Sequence, residues 1–254
     1  MEQTSASPAG DPVSILRTGI ALPIIARNGS AMEIVGTQIG SRHRSINRII
    51  LGSNGVSVRL RHQGEAVYIV AEGVGALLTG DASRLPLRRH SMVYVPPRTE
   101  YSFSAQTPME IFGGPCPPDG APAGTLAGGT GVKVLDAERD GPPIPMISKQ
   151  ARLVVWPGMG ATVATMNFVV LEPGEENHPH AHESSDDTIV ILEGKGTIDN
   201  METGRSLEFS TGDVVHVLAG VPHKVKADRG VRIVSAGGPC PPDTGMLRAM
   251  GVID

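Results

Sequence analysis

Aromatic side chains are scarce in this sequence: one Trp, three Tyr and four Phe among 254 residues. Val, Ile, Leu and Ala must therefore fill any core. Cysteine is scarcer still, with two residues, which excludes a disulfide framework and suits reduced thiols in a cytoplasmic protein. No run approaches the roughly 18–20 consecutive apolar residues that a membrane span needs. The first dozen residues are small and polar, without the basic region and apolar segment of a secretion signal. Nor is there a large excess of one charge: a formal −4 gives no reason to expect nucleic acid or an anionic membrane as partner.

What the chain has in quantity is turn formers. Its 32 Gly and 21 Pro make up about a fifth of the residues, which argues for many short strands joined by turns and against long helices. Short apolar stretches such as Ile46 to Leu51, Val67 to Ala71, Thr188 to Leu192 and Val214 to Leu218 alternate with turn signals. The pattern is all-β.

The chain also repeats itself. Gly-Gly-Pro-Cys-Pro-Pro-Asp occurs at Gly113 to Asp119 and again at Gly237 to Asp243, 124 residues later. Asn47 to Leu51 matches Asn167 to Leu171 at a separation of 120, and Val70 to Gly73 matches Ile191 to Gly194 at 121. The drift in offset is what loop insertions between two copies of one fold would leave. We expect a disordered tail over 1–12, a first β domain over 13–120, a Gly-rich linker over 121–131 and a second β domain over 132–254. Cys116 and Cys240, set among prolines and glycines at matching places, read as a repeated structural turn. Arg59, Arg61, Arg88 and Arg89 read as a solvated face or a contact between the copies.

The stretch with most chemistry is Gly174 to Gly194. His178, His180 and His182 fall on every second residue, which on an extended strand puts them on one face. Asp186 and Asp187 follow. Histidines converging with a carboxylate make a transition-metal site. At the 120 and 121 offsets, His178, His180, His182 and Asp187 correspond to Val58, Leu60, His62 and Ala66. Tyr101 stands where the second copy has His223. The first copy thus keeps one ligand candidate and reads as metal-free.

These residues carry a resemblance. Gly174, five residues, His180-Ala-His182, four residues, Asp187, six residues, Gly194 resembles the first motif of the cupin family. Gly212, five residues, Leu218-Ala-Gly220, two residues, His223, three residues, Ala227 resembles the second. Asp187 replaces the usual Glu, Leu218 the usual Pro and Ala227 the usual Asn. The whole chain is similar to a bicupin. The resemblance implies two tandem antiparallel β-barrels of the jelly-roll type (the double-stranded β-helix), with a metal site in the second alone. Its ligands would be His180, His182, His223 and Asp187, the last either on the ion directly or standing behind the histidines. Spacing favours Asp187 over Asp186. His178, which the motif does not require, would be a substrate contact, a proton shuttle or a packing residue, and His216 a structural residue.

Imidazole and carboxylate donors without thiolate suit Fe(II), Mn(II), Ni(II) or Zn(II), and geometry alone does not choose among them; we favour Fe(II) or Mn(II). The resemblance implies a dioxygenase acting with O2 on a small chelating metabolite (enol, catechol-like or carboxylate). The alternatives are an isomerase, lyase or hydrolase using the metal as Lewis acid, with His178 as base, and a non-enzymatic small-molecule-binding bicupin. A homodimer is an open option.

Overall fold

The computed structural model describes residues 12–120, 129, 131–249 and 251–253. The fold is all-β, two tandem antiparallel barrels. The first half of the chain supplies β1 (Val13–Leu16), β2 (Ile20–Ala21), β3 (Ile25–Val35), β4 (Ile46–Ser57), β5 (Glu65–Glu72), β6 (Val74–Thr79), β7 (Arg84–Arg88), β8 (Ser91–Val95), β9 (Tyr101–Ala105) and β10 (Met109–Cys116). The second supplies β11 (Lys133–Asp136), β12 (Arg152–Val155), β13 (Met166–Leu171), β14 (Asp186–Glu193), β15 (Lys195–Asn200), β16 (Ser206–Ser210), β17 (Val214–Val217), β18 (His223–Ala227), β19 (Ile233–Cys240) and a short helix, α1 (Thr244–Ala249). No helix among the described residues is long and apolar enough to cross a membrane.

The second barrel sets a six-stranded sheet, in the order β1-β17-β14-β19-β13-β12, over a three-stranded one, β16-β15-β18. The first repeats that plan as β11-β8-β5-β10-β4 over β9-β6-β7, with β4 long enough to run from one layer into the other through the Val56–Ser104 pair. Glycine closes the equivalent turns. Gly73 and Gly194, after β5 and β14, take φ of 92° and 96°, a region that side chains disfavour. A Cβ there would meet the carbonyl oxygen of Pro108 or Arg232 at 2.1 or 2.0 Å.

Two strands cross between the halves. β1, from the start of the chain, pairs with β17 in the second barrel (Val13 opposite Val217), and β11, from the second half, pairs with β8 in the first (Lys133 opposite Tyr94). Boundaries at 13 and 132 therefore do not separate the two sheets, because each barrel takes an edge strand from the other half. Pro12 belongs to the fold and not to a tail, since its carbonyl accepts from the Leu218 amide. The rest of the expected tail, 1–11, and most of the expected linker, 121–128 and 130, lie outside the described residues. Gly129, inside that linker, donates its amide to the Tyr94 hydroxyl.

Strand exchange covers the edges, and a shared apolar face closes the seam. The largest core cluster mixes both halves: Val67, Ile69, Met92 and Phe112 with Val155, Met166, Val190 and Ala236. A separate cluster, including Tyr68, Leu77, Val93, Phe103 and Ile111, fills the inside of the first barrel. Polar groups lock the seam. Glu65, 1% exposed, accepts from the amides of Thr162, Val163 and Ala164 at 2.7–2.8 Å, from the Thr162 hydroxyl at 3.1 Å and from the Tyr94 hydroxyl at 2.8 Å. Arg44, 1% exposed, crosses the seam to the carbonyls of Gly238 and Thr165. Arg88 and Arg89 pair with Asp136 and Glu193 of the second half.

Cys116 and Cys240 end β10 and β19, both buried and free, beside Arg44. Burial opposes the Cys240 thiolate, but the Cys116 hydrogen bond and the Arg44 charge outweigh it and bring the thiol down to about 7.

Glu65→Gln replaces one acceptor oxygen of the carboxylate with an NH2 donor that faces amide donors. It should destabilise the protein by about 3 kcal/mol, read as a lower urea midpoint with an unchanged slope. A loss below about 1 kcal/mol would show that the carboxylate does not hold the seam.

Candidate metal centre

Three segments bring the predicted ligands together. Asp187 is the second residue of β14 and His223 the first of β18. His180 and His182 lie on the chain that enters β14. An isolated bridge joins His180 to His223, amide to carbonyl in both directions at 3.1 and 2.9 Å. The histidine and Asp187 donor atoms all lie within 4.8 Å of one another.

The imidazoles are aimed by what holds their outer nitrogens. Nδ1 of His180 donates to the His178 carbonyl at 2.9 Å, Nδ1 of His223 to the Val221 carbonyl at 2.9 Å, and Nδ1 of His182 to Asp243 Oδ2 at 3.1 Å. These acceptors fix the proton on Nδ1 and leave the Nε2 lone pair facing inward. Asp187 Oδ2 stands 3.3 Å from Nε2 of His223 and 3.8 Å from Nε2 of His182. Its other oxygen is buried with no partner. A buried carboxylate oxygen without a donor is costly in a protein interior. With the three imidazole Nε2 atoms this carboxylate makes the donor set a divalent transition metal takes, so these residues fit an ion.

The electrostatics agree. Burial pushes the Asp187 carboxyl up, but the His223 hydrogen bond and the charges of His182, His223 and His180 overcome it and hold the group well below the usual carboxylate range. Burial, and then the neighbouring His223, bring His180 down to about 4, so it is neutral at ordinary pH, as a ligand must be. Burial also opposes charge on His223, yet Asp187 leaves it raised.

His178 does not join the other three. It is exposed and gives the site its carbonyl, not its ring. Glu176 bridges Lys226 and His180 bridges His223. Four steps on one strand therefore oppose three on the other, the count of a β-bulge. Pro179 sits inside it. The extra residue turns Asn177 inward, where its Oδ1 accepts from the Val225 amide at 2.8 Å, and sends His178 out. Simple alternation overlooked this shift. Asp186 also stays off the centre, bound by the Ala219 amide and 3.5 Å from Nε2 of His216. His216 is buried.

The equivalent place in the first barrel is filled. Leu60 bridges Tyr101 as His180 bridges His223. The hydroxyls of Tyr68 and Tyr101 are 2.6 Å apart, and Nε2 of His62 lies 3.4 Å from the Tyr68 hydroxyl. Nδ1 of His62 meets Asp119 Oδ2 at 2.6 Å, repeating the His182–Asp243 pair. Asp119 and Asp243 each close the repeated heptapeptide. Asp243 was not among the site residues expected from sequence, yet the signal was there: an acid repeated in both copies alongside the one histidine common to both.

The second barrel keeps open space instead. A cavity beside the four donors offers about 70 Å³ to the centre of a water molecule, room for a small ligand. Ile144, Leu153, Val169 and Leu171 form apolar walls, with Met246 and Leu247 of α1 beside them. Thr165, Asn167, Asn177 and Ser235 supply neutral polar groups, and no Lys or Arg is among the described residues that line it.

Comparison with known proteins agrees with this architecture. Residues 167–236 match the family model described as Cupin domain. Among solved structures, protein Ylba from E. coli superposes with a TM-score of 0.71 at 14% identity, over 91% of this chain and 92% of that one. The oxalate decarboxylase of Bacillus subtilis, whose structure concerns its Mn(II) centres, gives 0.66 at 12%, over 88% and 75%. Vicilin from Corylus avellana (hazelnut) gives 0.67 at 12%, over 92% and 87%. A search of curated proteins found no matching sequence. The architecture and these matches together show a double-barrelled jelly-roll fold whose second barrel matches the Cupin domain model over residues 167–236. Neighbours at these identities share the fold; they do not name a reaction.

Asp243→Ala frees the outer nitrogen of His182 and should weaken metal affinity about 10- to 100-fold. Asp119→Ala should leave it unchanged. Titration of chelator-stripped protein with Mn(II), counted by elemental analysis, checks both; equal losses in the two variants would contradict a single centre in the second barrel.

Proposed function

We propose that the chain is a mononuclear metal-dependent oxidoreductase, a dioxygenase acting on a small metal-chelating metabolite. The observation that carries this reading is the convergence of three inward Nε2 lone pairs and an unpartnered Asp187 oxygen on a cavity, where the other barrel has sealed the same place with tyrosine hydroxyls. His180, His182 and His223 hold the ion, with Fe(II) or Mn(II) preferred over Ni(II) or Zn(II). Asp187 joins them and lowers the charge of the centre, and Asp243 keeps His182 in its binding tautomer.

When bound, a redox-active ion supplies the one-electron chemistry that lets O2 react with an organic substrate. The chain's own residues select and place that substrate. Three neutral imidazoles and one carboxylate leave a divalent ion with a single net positive charge, and no Lys or Arg among the described lining residues adds to it. That balance suits a monoanionic chelator, an enolate or catecholate, better than a dianion. The apolar walls exclude water from its body, and Thr165, Asn177 and Ser235 offer hydrogen bonds to its polar edge. Non-redox chemistry on a Lewis-acid metal needs a group to move protons. His178, the residue expected to serve, is exposed, and Asp243, the one further acid among the described residues of the lining, is engaged by His182 and the Met246 amide. This favours the O2-dependent version.

Protein loaded anaerobically with Fe(II) should take up O2 with a catechol or β-diketone and lose at least about 100-fold of that rate in His180→Ala and His182→Ala. Turnover without O2, equally good with Zn(II), would instead assign Lewis-acid chemistry. Unchanged ligand binding in the double variant would mark a binding protein.

A further inference from the structure

A second cavity lies at the seam, away from the metal centre. It offers about 380 Å³ to the centre of a water molecule. His90, in the turn between β7 and β8, faces it from the first half. The residue is 6% exposed, its Nδ1 lies 2.6 Å from Glu138 Oε1, and its Nε2 is buried with no partner. The floor is Phe168, Val170 and Val234 of the second barrel, and the His90 ring lies 5.0 Å from that of Phe168. Lys149, Arg152 and Arg232 line the rest of the opening. Glu193 pairs with Arg232, Arg152 donates to the Gly141 carbonyl, and Lys149 has no ion pair among the described residues. With Glu138 held by His90, the rim keeps an excess of positive charge.

The fold does not require this arrangement. At the pseudo-equivalent seam, Arg48 and Glu110 occupy the places of Phe168 and Val234 and bind each other at 2.6 Å. Gly212 stands in the place of His90, and a Cβ built there would lie 3.8 Å from Arg48 Nη2. One seam is closed by its own ion pair. The other presents an apolar floor, a cationic rim and a buried nitrogen with nothing to bind.

We propose that this seam cavity is a ligand site for a small organic monocarboxylate with an apolar body. The body lies on Phe168, Val170 and Val234, and the carboxyl group meets His90 Nε2 and the Lys149 and Arg152 charges. One proton shared between carboxyl and imidazole satisfies both: an imidazolium donates to a carboxylate, or an acid O–H donates to the neutral ring. Because β11 and its continuation to Glu138 cross from the second half to the first, such a ligand touches both halves of the chain.

Benzoate is the probe, added to the full-length protein as purified and followed by the ε1 proton and carbon signal of His90. His90→Asn identifies that signal, and Asn tolerates the left-handed backbone (φ 63°) at this position. Benzoate should shift the His90 signal with roughly millimolar affinity. Lys149→Gln and Arg152→Gln should each weaken binding several-fold, and benzamide and inorganic phosphate should bind at least about tenfold more weakly. Lys149 is exposed, so its variant tests the charge without threatening the fold. No shift of His90 at tens of millimolar benzoate overturns the proposal, even if benzoate binds elsewhere. So does a shift unaffected by Lys149→Gln, or phosphate binding as well as benzoate.

Discussion

Everything in this molecule depends on burying one face of each large sheet against the other. Neither barrel could expose Val67, Ile69 and Phe112, or Met166, Val190 and Ala236, without presenting an apolar surface of the kind that soluble proteins keep small. Sealing that seam traps polar backbone as well, and a trapped donor without a partner costs about 1–3 kcal/mol. Glu65 meets the requirement for the Thr162–Ala164 loop, answering three amides and a hydroxyl with one carboxylate. Arg44 performs the converse service for two carbonyls. The seam is held apolar in bulk and polar at fixed points, and those points set the register between the halves.

With the frame fixed this way, the barrel interiors were free to diverge. Both began from one plan, visible in the matched bridges Leu60–Tyr101 and His180–His223 and in the matched His–Asp pairs His62–Asp119 and His182–Asp243. In the first barrel Tyr68 and Tyr101 join His62 in a chain of hydrogen bonds among Phe103 and other apolar residues. Burial raises both phenols, which keeps the two hydroxyls protonated. The second barrel does the opposite: it leaves an oxygen of Asp187 without a donor, beside three ring nitrogens that face one another around open space. The same strands thus support a self-satisfied core and a centre that asks for a cation.

Much of this was legible in the sequence, because short-range spacing controls it. The duplication, the all-β class and the grouping of His180, His182, Asp187 and His223 follow from periodicity and motif spacing. What escaped depends on pairings between residues far apart in the chain. Nothing local to Val13–Leu16 says that its partner is Val214–Val217, so a boundary at 13 was drawn on the wrong side of a sheet. His178 was misplaced for a subtler reason: alternation assumes an unbroken pleat, and the bulge around Pro179 inserts one residue. Asp243 lay in plain view within the repeated heptapeptide. Its role appears only when β19 carries it round to His182, 61 residues back in the chain.

The exchange of β1 and β11 has a consequence for synthesis. As the chain leaves the ribosome, the first barrel lacks its outer strand until residue 136 has emerged. The first strand made, β1, meanwhile has no sheet to join until β17 appears some 200 residues later. The first barrel can therefore close before β12 to β19 of its neighbour are made, but with the chain's own first strand left out. Domain-by-domain folding is thus open to the first half only in part: its barrel can close early, while β1 must stay unpaired until the second half supplies β17.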